Sequence, residues 1–578
     1  MSLSDGLTYE VDPLPEDVIN NRSGAVLNRH TTLKADHFPS CHNTKLIPII
    51  EGAPNFRKVK GVPVYGVAIP TVTGFRAVLN ILEASQGKRK VYWQNLREEP
   101  LIFINGNPFV VREADKPFCN LEYTGIDRIR VEEMEMRLKQ DILHESAIFG
   151  NRILVKHENE DLSLYDHWEP VTPADTQMPV EVYAELRADR YNVDYLRVPI
   201  TDEKAPKDSD FDLLIQRLWP VLGEAAMVFN CQMGRGRTTT GMIISTLLYL
   251  RKAGAFPVKR RSSTGRAASL GLPSGPNSDG LSTAASQNLD FSHLNGPTMT
   301  NTNNSSSNSS NGPPHLGIPQ WFTAGFERNR GSIGEMTVEA RTKHGLFDVV
   351  RSLLRVLENG PEAKAVLDTV VDACSAMQNL REAIGGYRAR FLKESRETQR
   401  ATILGVALEY LERYYMLIAF SAYLFHPAFD PDSPTQPSFS DWMSSRPELR
   451  SILTRLLRRN SMAALDLHLT GTGGGGAGMG PSGWHPQHVL TFHESVIASR
   501  DGAVLGPCTV LKEDSFPGML NPKIPQRLRG APNFRGMRGG FEIYGVGMPT
   551  VEGIVAVLHA VTANRRGGGD DGGGSNDG

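Results

Sequence analysis

Residues 225–250 read AAMVFNCQMGRGRTTTGMIISTLLYL, and this stretch decides the fold. The apolar run that ends at Asn230 predicts a β-strand, and the apolar residues after Thr238 predict a helix. The glycine-containing residues between them predict a tight loop. Because backbone N–H groups and the positive end of the helix dipole meet in such a loop, the stretch predicts a cradle for an anion.

Cys231 and Arg237 stand six residues apart across that loop. The field of the loop lowers the pKa of a thiol at its start, so Cys231 is predicted to be a thiolate nucleophile. Arg237 can hold two phosphoryl oxygens in a bidentate fork, and Thr238 can hydrogen-bond the sulfur when it leaves. These residue types predict in-line attack by sulfur, a phosphocysteine intermediate and its hydrolysis.

The residues enclosed by the Cys–Arg pair are the predicted contacts to substrate, and glycine at two of them permits the backbone angles of a tight ring. They are Gln232, Met233, Gly234, Arg235 and Gly236. The bare Cys–Arg spacing arises readily by chance, and the other cysteines have no arginine at that distance. The preceding strand, the glycines and the apolar helix make a phosphate-binding loop the favoured interpretation.

A leaving alkoxide or phenoxide needs a proton from a general acid on another loop. Asp202, in the segment YLRVPITDEKAP, follows a predicted strand and is the candidate. Partial burial would keep its carboxyl protonated while substrate is bound. A Thr-Asp pair after a strand is also a common turn or helix cap, and Glu203 is the alternative acid.

The composition excludes several classes of function. A formal net charge of −2 leaves no general field for nucleic acid or an anionic membrane. The five cysteines are scattered without a CxxC pair, and no acidic or cysteine pattern completes a metal site around His30, His37 and His42. Catalysis without a metal or cofactor is predicted. The chain starts without an apolar signal segment, and its longest apolar run, Tyr414–Phe425, is too short to span a bilayer, so a cytosolic location is predicted.

The chain repeats itself over a long distance. VINNRSGAVLNRH begins at Val18 and VIASRDGAVLGPC at Val496, and the hexapeptide GAPNFR occurs at 52–57 and again at 530–535. This long period predicts a duplicated domain rather than a solenoid. The second copy stops after about seventy residues, so it is predicted to be incomplete.

Two linker-like segments interrupt the chain, because Ser, Asn and Gly tracts bury too little apolar surface to offset their chain entropy. The predicted division is a phosphatase-like domain at 1–255, a disordered insertion at 256–340, a helical completion of the first copy at 341–465, a Gly-rich linker at 466–485, the start of a second copy at 486–565 and a Gly/Asp-rich tail at 566–578. Helical patterns are predicted at Gly345–Glu358, Ala401–Phe425 and Asp441–Leu465.

Further elements are predicted around the loop. VPVYGVAIP and DYLRVPI indicate strands, and Thr71 is predicted to cap a helix that runs through Leu82. LIFINGNPFVVR predicts a hairpin with Asn-Gly or Gly-Asn in its turn. A mixed α/β class, with a central sheet flanked by helices, follows.

These segments resemble the cysteine-dependent phosphatases of the protein-tyrosine-phosphatase superfamily, and within it the paladin-like inositol phosphatases. The residues that carry the resemblance include EGAPNFR, VYGVAIPT, YLRVPITDEKAP and FNCQMGRGRTTTGM. The resemblance covers nearly the whole chain outside the low-complexity stretches. It implies the α/β phosphatase fold with a parallel centre, the nucleophile Cys231, the arginine Arg237 and a mobile acid loop around Asp202.

The resemblance also implies that Arg57, in GAPNFR, helps to hold phosphate, although a buried salt bridge would equally explain an arginine there. A structural role is predicted for Arg97 in the segment NLREE. One residue departs from the pattern: the superfamily usually has His before the cysteine, and this chain has Asn230, which can donate a hydrogen bond but cannot titrate.

Arg235 adds a second cation to the loop, which resembles the tensin-like lipid phosphatases and suits neighbouring phosphates; alternatively it points to solvent. Lys204 and Lys207 beside the acid loop add to the positive charge. The leading hypothesis is a phosphatase for phosphotyrosine-type or inositol-type phosphoesters, whose partner is the phosphorylated substrate. A catalytically weak phosphate-binding scaffold is the alternative, and the basic segment from Val258 is a weaker candidate for regulation or targeting.

Overall fold

The structure is a computed structural model that describes residues 13–256, 316–330, 337–426, 429–433, 435–459 and 462–467, with 500, 504–505, 511–514, 528–536 and 543–566 near the end of the chain. Internal contacts divide the chain into a unit at residues 1–484 and a second unit at 485–578. Among the described residues, no helix has the length and apolar character needed to cross a membrane.

The first unit begins with alternating strands and helices. Its strands are β1 (Thr31–Ala35), β2 (Arg57–Lys58), β3 (Val64–Ala68), β4 (Val91–Arg97), β5 (Leu101–Ile104), β6 (Asn107–Glu113), β7 (Arg152–Glu158), β8 (Leu164–Pro170), β9 (Thr176–Gln177), β10 (Val193–Ile200) and β11 (Ala226–Cys231). Its helices in this part are α1 (Pro15–Asn21), α2 (Val72–Ile81), α3 (Arg128–Ile148), α4 (Pro179–Ala188), α5 (Asp208–Leu218) and α6 (Gly236–Lys252).

The central sheet has five strands in the order β10-β4-β11-β3-β2. Strands β10, β4, β11 and β3 are parallel, and only β2 runs antiparallel to its neighbour β3. Strand β11 lies in the middle and is buried along its whole length. The sheet therefore presents the carboxyl end of β11, at Cys231, between the ends of β3 and β4, and the predicted α/β class is confirmed.

A second sheet of six strands has the order β8-β7-β1-β6-β5-β9. Its β5–β6 pair is the predicted hairpin, and the turn is Asn105-Gly106, with φ values of 50° and 77°. Both residues have positive φ, which is the geometry that makes Asn-Gly the preferred pair in a two-residue turn. The hairpin prediction is confirmed.

Helix α2 begins directly after Thr71, the residue predicted to cap it. The Thr71 hydroxyl accepts a hydrogen bond from Gly74 N at 3.0 Å, which satisfies one of the free N–H groups of the first turn. The helix ends at Ile81, and it buries Phe75, Val78 and Leu79 against the sheet. The predicted strands at VPVYGVAIP, DYLRVPI and AAMVFN correspond to β3, β10 and β11, and are confirmed.

The rest of the first unit is helical. The helices are α7 (Gln320–Arg330), α8 (Val338–Lys343), α9 (Asp348–Val356), α10 (Gly360–Ala373), α11 (Leu380–Lys393), α12 (Glu397–Leu424), α13 (Phe439–Ser444) and α14 (Pro447–Arg459), followed by a 3₁₀ turn at Met462–Leu465. The predicted helix at Ala401–Phe425 lies almost wholly within α12. The segment predicted to be one helical region at Asp441–Leu465 is broken, because Pro447 starts a new helix at its first position. The helix predicted at Gly345–Glu358 is α9, and Asn359, with φ 55°, is the residue directly before α10.

Helix α7 lies inside the range 256–340 that was predicted to be a disordered insertion. Its Phe322 and Phe326 side chains are fully buried in the main core, beside the helical region. The insertion therefore does not extend through residue 340. The basic segment from Val258, the remainder of the insertion up to 315, the Gly-rich linker from 468 and the tail from 567 lie outside the described residues.

The second unit contains β12 (Arg535–Gly536), β13 (Tyr544–Gly545) and α15 (Val551–Arg566). Its GAPNFR segment makes the same local contacts as the first copy. Gly52 O accepts from Thr71 N at 2.8 Å, and Gly530 O accepts from Thr550 N at 2.7 Å. The Thr550 hydroxyl likewise accepts from Gly553 N, as Thr71 does from Gly74. The two similar sequences thus form the same turn and helix start.

Candidate active site

The loop after β11 carries the predicted nucleophile. Cys231 ends the central strand and is only 4% exposed, and the Thr238 hydroxyl lies 3.1 Å from its Sγ. Helix α6 begins at Gly236, so its free N–H groups point back at the loop. The structure thus brings the thiol, the hydroxyl and the helix N-terminus together, as the sequence predicts.

The scaffold holds the outside of this loop. Ile69 N donates to Gln232 O at 2.9 Å, and Asn55 Nδ2 donates to Met233 O at 2.8 Å. Gly234 has φ 64°, and a Cβ there would lie 2.6 Å from Ala68 N. Only glycine allows both this backbone angle and this close approach to β3. The carbonyl groups of Gln232 and Met233 therefore accept hydrogen bonds from the structure around the loop.

Arg237 is fixed by carboxylates and a carbonyl. Its Nη1 donates to both oxygens of Glu99, at 3.0 and 3.1 Å, and to Ile200 O at 3.2 Å, while its Nε lies 3.2 Å from Asp202 Oδ1. Burial alone lowers the pKa of Arg237, but Asp202 and Glu99 outweigh burial and raise it. The guanidinium is therefore charged and oriented before any ligand arrives.

Glu99 belongs to a cluster of buried charges behind the loop. Arg97 Nε donates to Glu99 Oε2 at 3.0 Å, its Nη1 bonds Asp36, and Arg112 Nη2 lies 3.7 Å from Asp36 Oδ1. Burial raises the pKa of Glu99, but Arg237 and the other arginines outweigh burial and lower it to about 2. Arg97 thus has the structural place that the sequence predicts for it, and Asp36 also accepts from Gln232 Nε2 at 2.9 Å.

The acid loop follows β10. Asp202 Oδ1 faces Arg237, and its Oδ2 accepts from Asn120 Nδ2 at 2.7 Å. Glu203 has φ 61°, and its pKa is raised by burial first and by the nearby Asp202 and Glu409 carboxylates next. Both acidic residues line the same cavity as Cys231. Asp202 is therefore an ion-pair partner of Arg237.

The cavity above the loop has a volume of about 170 Å³. Its wall contains the predicted residues Asp202, Glu203, Cys231, Gln232, Met233, Arg235, Gly236 and Arg237. Helices α11 and α12 complete it with Tyr387, Tyr410 and Arg413. The helical region is therefore part of the candidate site.

Arg413 is the residue of the site that the sequence reasoning missed. It is 1% exposed, its Nε donates to Lys204 O at 3.1 Å, and its guanidinium lies 4.9 Å from the ring centre of Tyr410. Its buried Nη2 has no hydrogen-bond partner among the described residues. Burial lowers its pKa. An arginine directly before the longest apolar run of the chain, in the same predicted helix, is the signal that could have identified it.

Three predicted contacts do not line the cavity: Gly234, which packs against β3, Arg57 and Lys204. Arg57 is buried beneath the loop, where its Nη2 donates to the Thr239 hydroxyl at 2.9 Å and burial lowers its pKa to about 10. Lys204 Nζ lies 3.2 Å from Glu122 Oε2, and Lys207 Nζ donates to Gly125 O at 2.9 Å. Neither lysine faces the loop, so the added positive charge at the cavity comes from Arg413 and Arg235.

Asn230 is fully buried, and its side-chain amide has two hydrogen-bond partners. Its Oδ1 accepts from Trp93 Nε1 at 2.9 Å, and its Nδ2 donates to Asn95 Oδ1 at 3.3 Å. The position where the superfamily has a titratable histidine is thus occupied by a neutral link between β11 and β4. No cluster of three or more His, Cys, Asp or Glu side chains in the described part of the chain is placed to hold a metal ion.

Residues 94–249, which contain both the acid loop and the Cys231 loop, match the family model of the protein-tyrosine-phosphatase-like phytases, whose description names inositol hexakisphosphate. This match lies within the first unit of the chain. The chain is also 25% identical over 401 residues to paladin of Xenopus tropicalis and 26% identical over 420 residues to paladin of Homo sapiens. The predicted resemblance is confirmed.

Those alignments cover 67% and 70% of this chain but only 36% and 37% of the two paladins, so the matched region spans little more than a third of their length. Among solved structures, the tandemly repeated protein tyrosine phosphatase like phytase from Mitsuokella multacida aligns with 72% of this chain and 48% of its own, at 13% identity and a TM-score of 0.37. A PTP-like phytase from Bdellovibrio bacteriovorus aligns with 38% and 70%, at 21% identity and a TM-score of 0.26.

Proposed function

We propose that the protein is a cysteine-dependent phosphoric monoester hydrolase whose nucleophile is Cys231. The thiolate attacks phosphorus while the ester P–O bond breaks, and Asp202 gives its proton to the leaving oxygen. Water then attacks phosphorus, the P–S bond breaks, and the water proton returns to Asp202. The observation that carries the proposal is that Cys231, Arg237 and Asp202 meet at one cavity.

Ligand binding has to rearrange this site. Asp202 lies 3.2 Å from Arg237 Nε, where a phosphoryl oxygen would form its charge-assisted bond. We infer that the incoming phosphate takes this place and that the displaced carboxyl group picks up a proton beside the dianion. In this step the acid loop moves, as the family resemblance implies for the segment around Asp202.

We propose polyphosphorylated inositols or their lipids as the favoured substrates, ahead of phosphotyrosine. Arg235 is exposed at the cavity, and none of the ion pairs of the described residues involves it. Arg413 adds a buried guanidinium to the cavity wall, and its Nη2 has no hydrogen-bond partner among the described residues. Both can bind phosphates beyond the one over Cys231, and the matching family model names inositol hexakisphosphate.

The second candidate function is a phosphate-binding scaffold with little turnover. Asn230 favours it, because a buried neutral amide before the cysteine cannot tune the thiolate by titration. The same pocket would bind the phosphorylated ligand without hydrolysing it. A cytosolic location, predicted from the scattered cysteines, is part of both proposals.

The test is hydrolysis of para-nitrophenyl phosphate followed by an inositol polyphosphate panel, with binding measured in parallel. Cys231→Ser should abolish turnover and keep binding, whereas Cys41→Ser is the matched control. Burial raises the pKa of Cys41 to about 11, so this thiol stays protonated and should not contribute. Unchanged turnover in Cys231→Ser would rule out the phosphocysteine route, and binding without turnover in the wild type would favour the scaffold.

Substrate class is tested by Arg413→Met and Arg235→Ala. Each should weaken binding of an inositol polyphosphate by about ten-fold or more, because a charge-assisted contact is lost, and should leave a monophosphate nearly unaffected. Equal losses for the two ligand classes would mean that these arginines only support the loop. A phosphotyrosine peptide would then become the better substrate.

A further inference from the structure

A segment of the second sheet region lies against the acid loop. Residues 116–126, which we call the strap, follow β6 and precede α3. Glu122 of the strap pairs with Lys204 at 3.2 Å, and Gly125 O accepts from Lys207 at 2.9 Å. These contacts tie the strap to the acid loop in the ligand-free protein, so the lysines of the acid loop serve this attachment.

Glu98 strengthens the same attachment from beneath. Its Oε2 accepts from the Thr201 hydroxyl at 2.7 Å, and its Oε1 accepts from Tyr123 N at 3.3 Å. One carboxylate therefore holds the residue before Asp202 and a residue of the strap. The strap and the acid loop have a common anchor at the end of β4.

Asn120 is the strap residue that reaches the predicted acid itself. Its Nδ2 donates to Asp202 Oδ2 at 2.7 Å, while Arg237 Nε and Glu203 N lie against the other oxygen, at 3.2 and 3.1 Å. Asn120 Oδ1 is buried and accepts no hydrogen bond from any described residue. The amide thus has one donor in use and one acceptor free beside the carboxyl group.

We propose that Asn120 is the positioning residue of the general acid, an inference that rests on the proposed hydrolase mechanism. A side-chain amide can donate to an ionised carboxylate and, after rotation, accept from a protonated one. Asn120 can therefore keep hold of Asp202 in both protonation states. Arg237 has only donors, so it cannot accept a hydrogen bond from the protonated form, and phosphate removes it from Asp202. Asn120 is then the contact that keeps the acid over the leaving oxygen.

The first test uses leaving groups of different basicity. A para-nitrophenolate leaves without a proton, whereas an alkoxide or phenoxide needs the acid. Asn120→Ala should lower kcat/KM for phenyl phosphate by about ten-fold and leave kcat/KM for para-nitrophenyl phosphate almost unchanged, as Asp202→Asn should, because kcat/KM covers only the steps up to departure of the leaving group. Hydrolysis of the phosphocysteine, in which Asp202 takes the water proton, is common to both substrates.

The control is Glu122→Gln, which removes the strap's ion pair with Lys204 but keeps Asn120. We expect the ratio of the kcat/KM values for phenyl phosphate and para-nitrophenyl phosphate to stay as in the wild type. An equal effect of Glu122→Gln and Asn120→Ala, or equal losses in kcat/KM for both substrates in Asn120→Ala, would overturn the assignment of Asn120.

The second test needs no turnover. Asp202 lies 3.2 Å from Arg237 Nε and competes with an oxyanion for it, so tungstate binding, followed by calorimetry, reports how firmly Asp202 is held there. In Asn120→Ala the released carboxylate should compete less, so tungstate should bind more tightly than to the wild type. Tungstate binding like that of the wild type would overturn the proposal. If Asn120→Ala binds tungstate more tightly than the wild type, but the wild type hydrolyses none of the phosphoesters, the hydrolase is rejected. Asn120 then remains the residue that holds Asp202.

Discussion

Glu99→Gln is the substitution that most directly tests how the loop arginine is held. It keeps the size of the side chain and removes the negative charge that lies between Arg237 and Arg97. The pKa of Glu99 is about 2 in the folded protein instead of its ordinary 4.5, because the arginines outweigh the effect of burial. The ionised group therefore stabilises the fold by about 3 kcal/mol at neutral pH.

The sign of the pH dependence follows from the lowered pKa. The stabilisation is complete above about pH 5 and is lost as pH falls through about 2, because the unfolded chain then binds the proton more readily. Glu99→Gln should lack this part of the pH dependence. At neutral pH it should lower the free energy of unfolding of the first unit by about 3–5 kcal/mol, since two buried guanidinium groups lose a shared partner.

Urea unfolding of the full chain at a series of pH values measures both effects, and tungstate binding reports on Arg237 in parallel. Glu98→Gln is the matched control, because burial raises the pKa of Glu98 and its contacts are hydroxyl and backbone donors. Its cost should be about 1 kcal/mol. An unfolding free energy of Glu99→Gln within about 1 kcal/mol of the wild type at neutral pH would refute the reasoning.

Three further substitutions test the loop and the core. Gly234→Ala should weaken tungstate binding at least ten-fold by calorimetry, since its Cβ would lie 2.6 Å from Ala68 N; unchanged affinity would contradict the close packing. Asn230→Ala should lower the unfolding free energy by about 1–3 kcal/mol, because Trp93 Nε1 loses its acceptor, and an unchanged urea midpoint would argue against that link. Phe322→Ala should cost about 3–5 kcal/mol in thermal unfolding if α7 belongs to the core, and a neutral effect would return this helix to the insertion.

Much of the local structure could be predicted from the sequence. The strand, loop and helix around Cys231 followed from the switch between apolar runs and glycine-rich residues, and the Asn105-Gly106 turn followed from its own backbone preference. Thr71 marked the start of α2 for the same local reason. The matching contacts of the two GAPNFR segments show that this part is determined by neighbouring residues. The place of α7 was not predictable, because its buried phenylalanines adjoin a Ser- and Asn-rich segment.

The sequence by itself predicted the proposed nucleophile, the arginine and the loop between them, because the proposed chemistry depends on a spacing of six residues. Only the tertiary structure decided which residues surround them. Glu99 bonds Arg237 across 138 residues of chain, and Arg413 joins Lys204 across 209. Such contacts arise where helices pack on the sheet, and no local pattern encodes them. Arg57 is a second example. Its GAPNFR motif suggested a contact with phosphate, but the tertiary structure buries it against Thr239, beneath the loop.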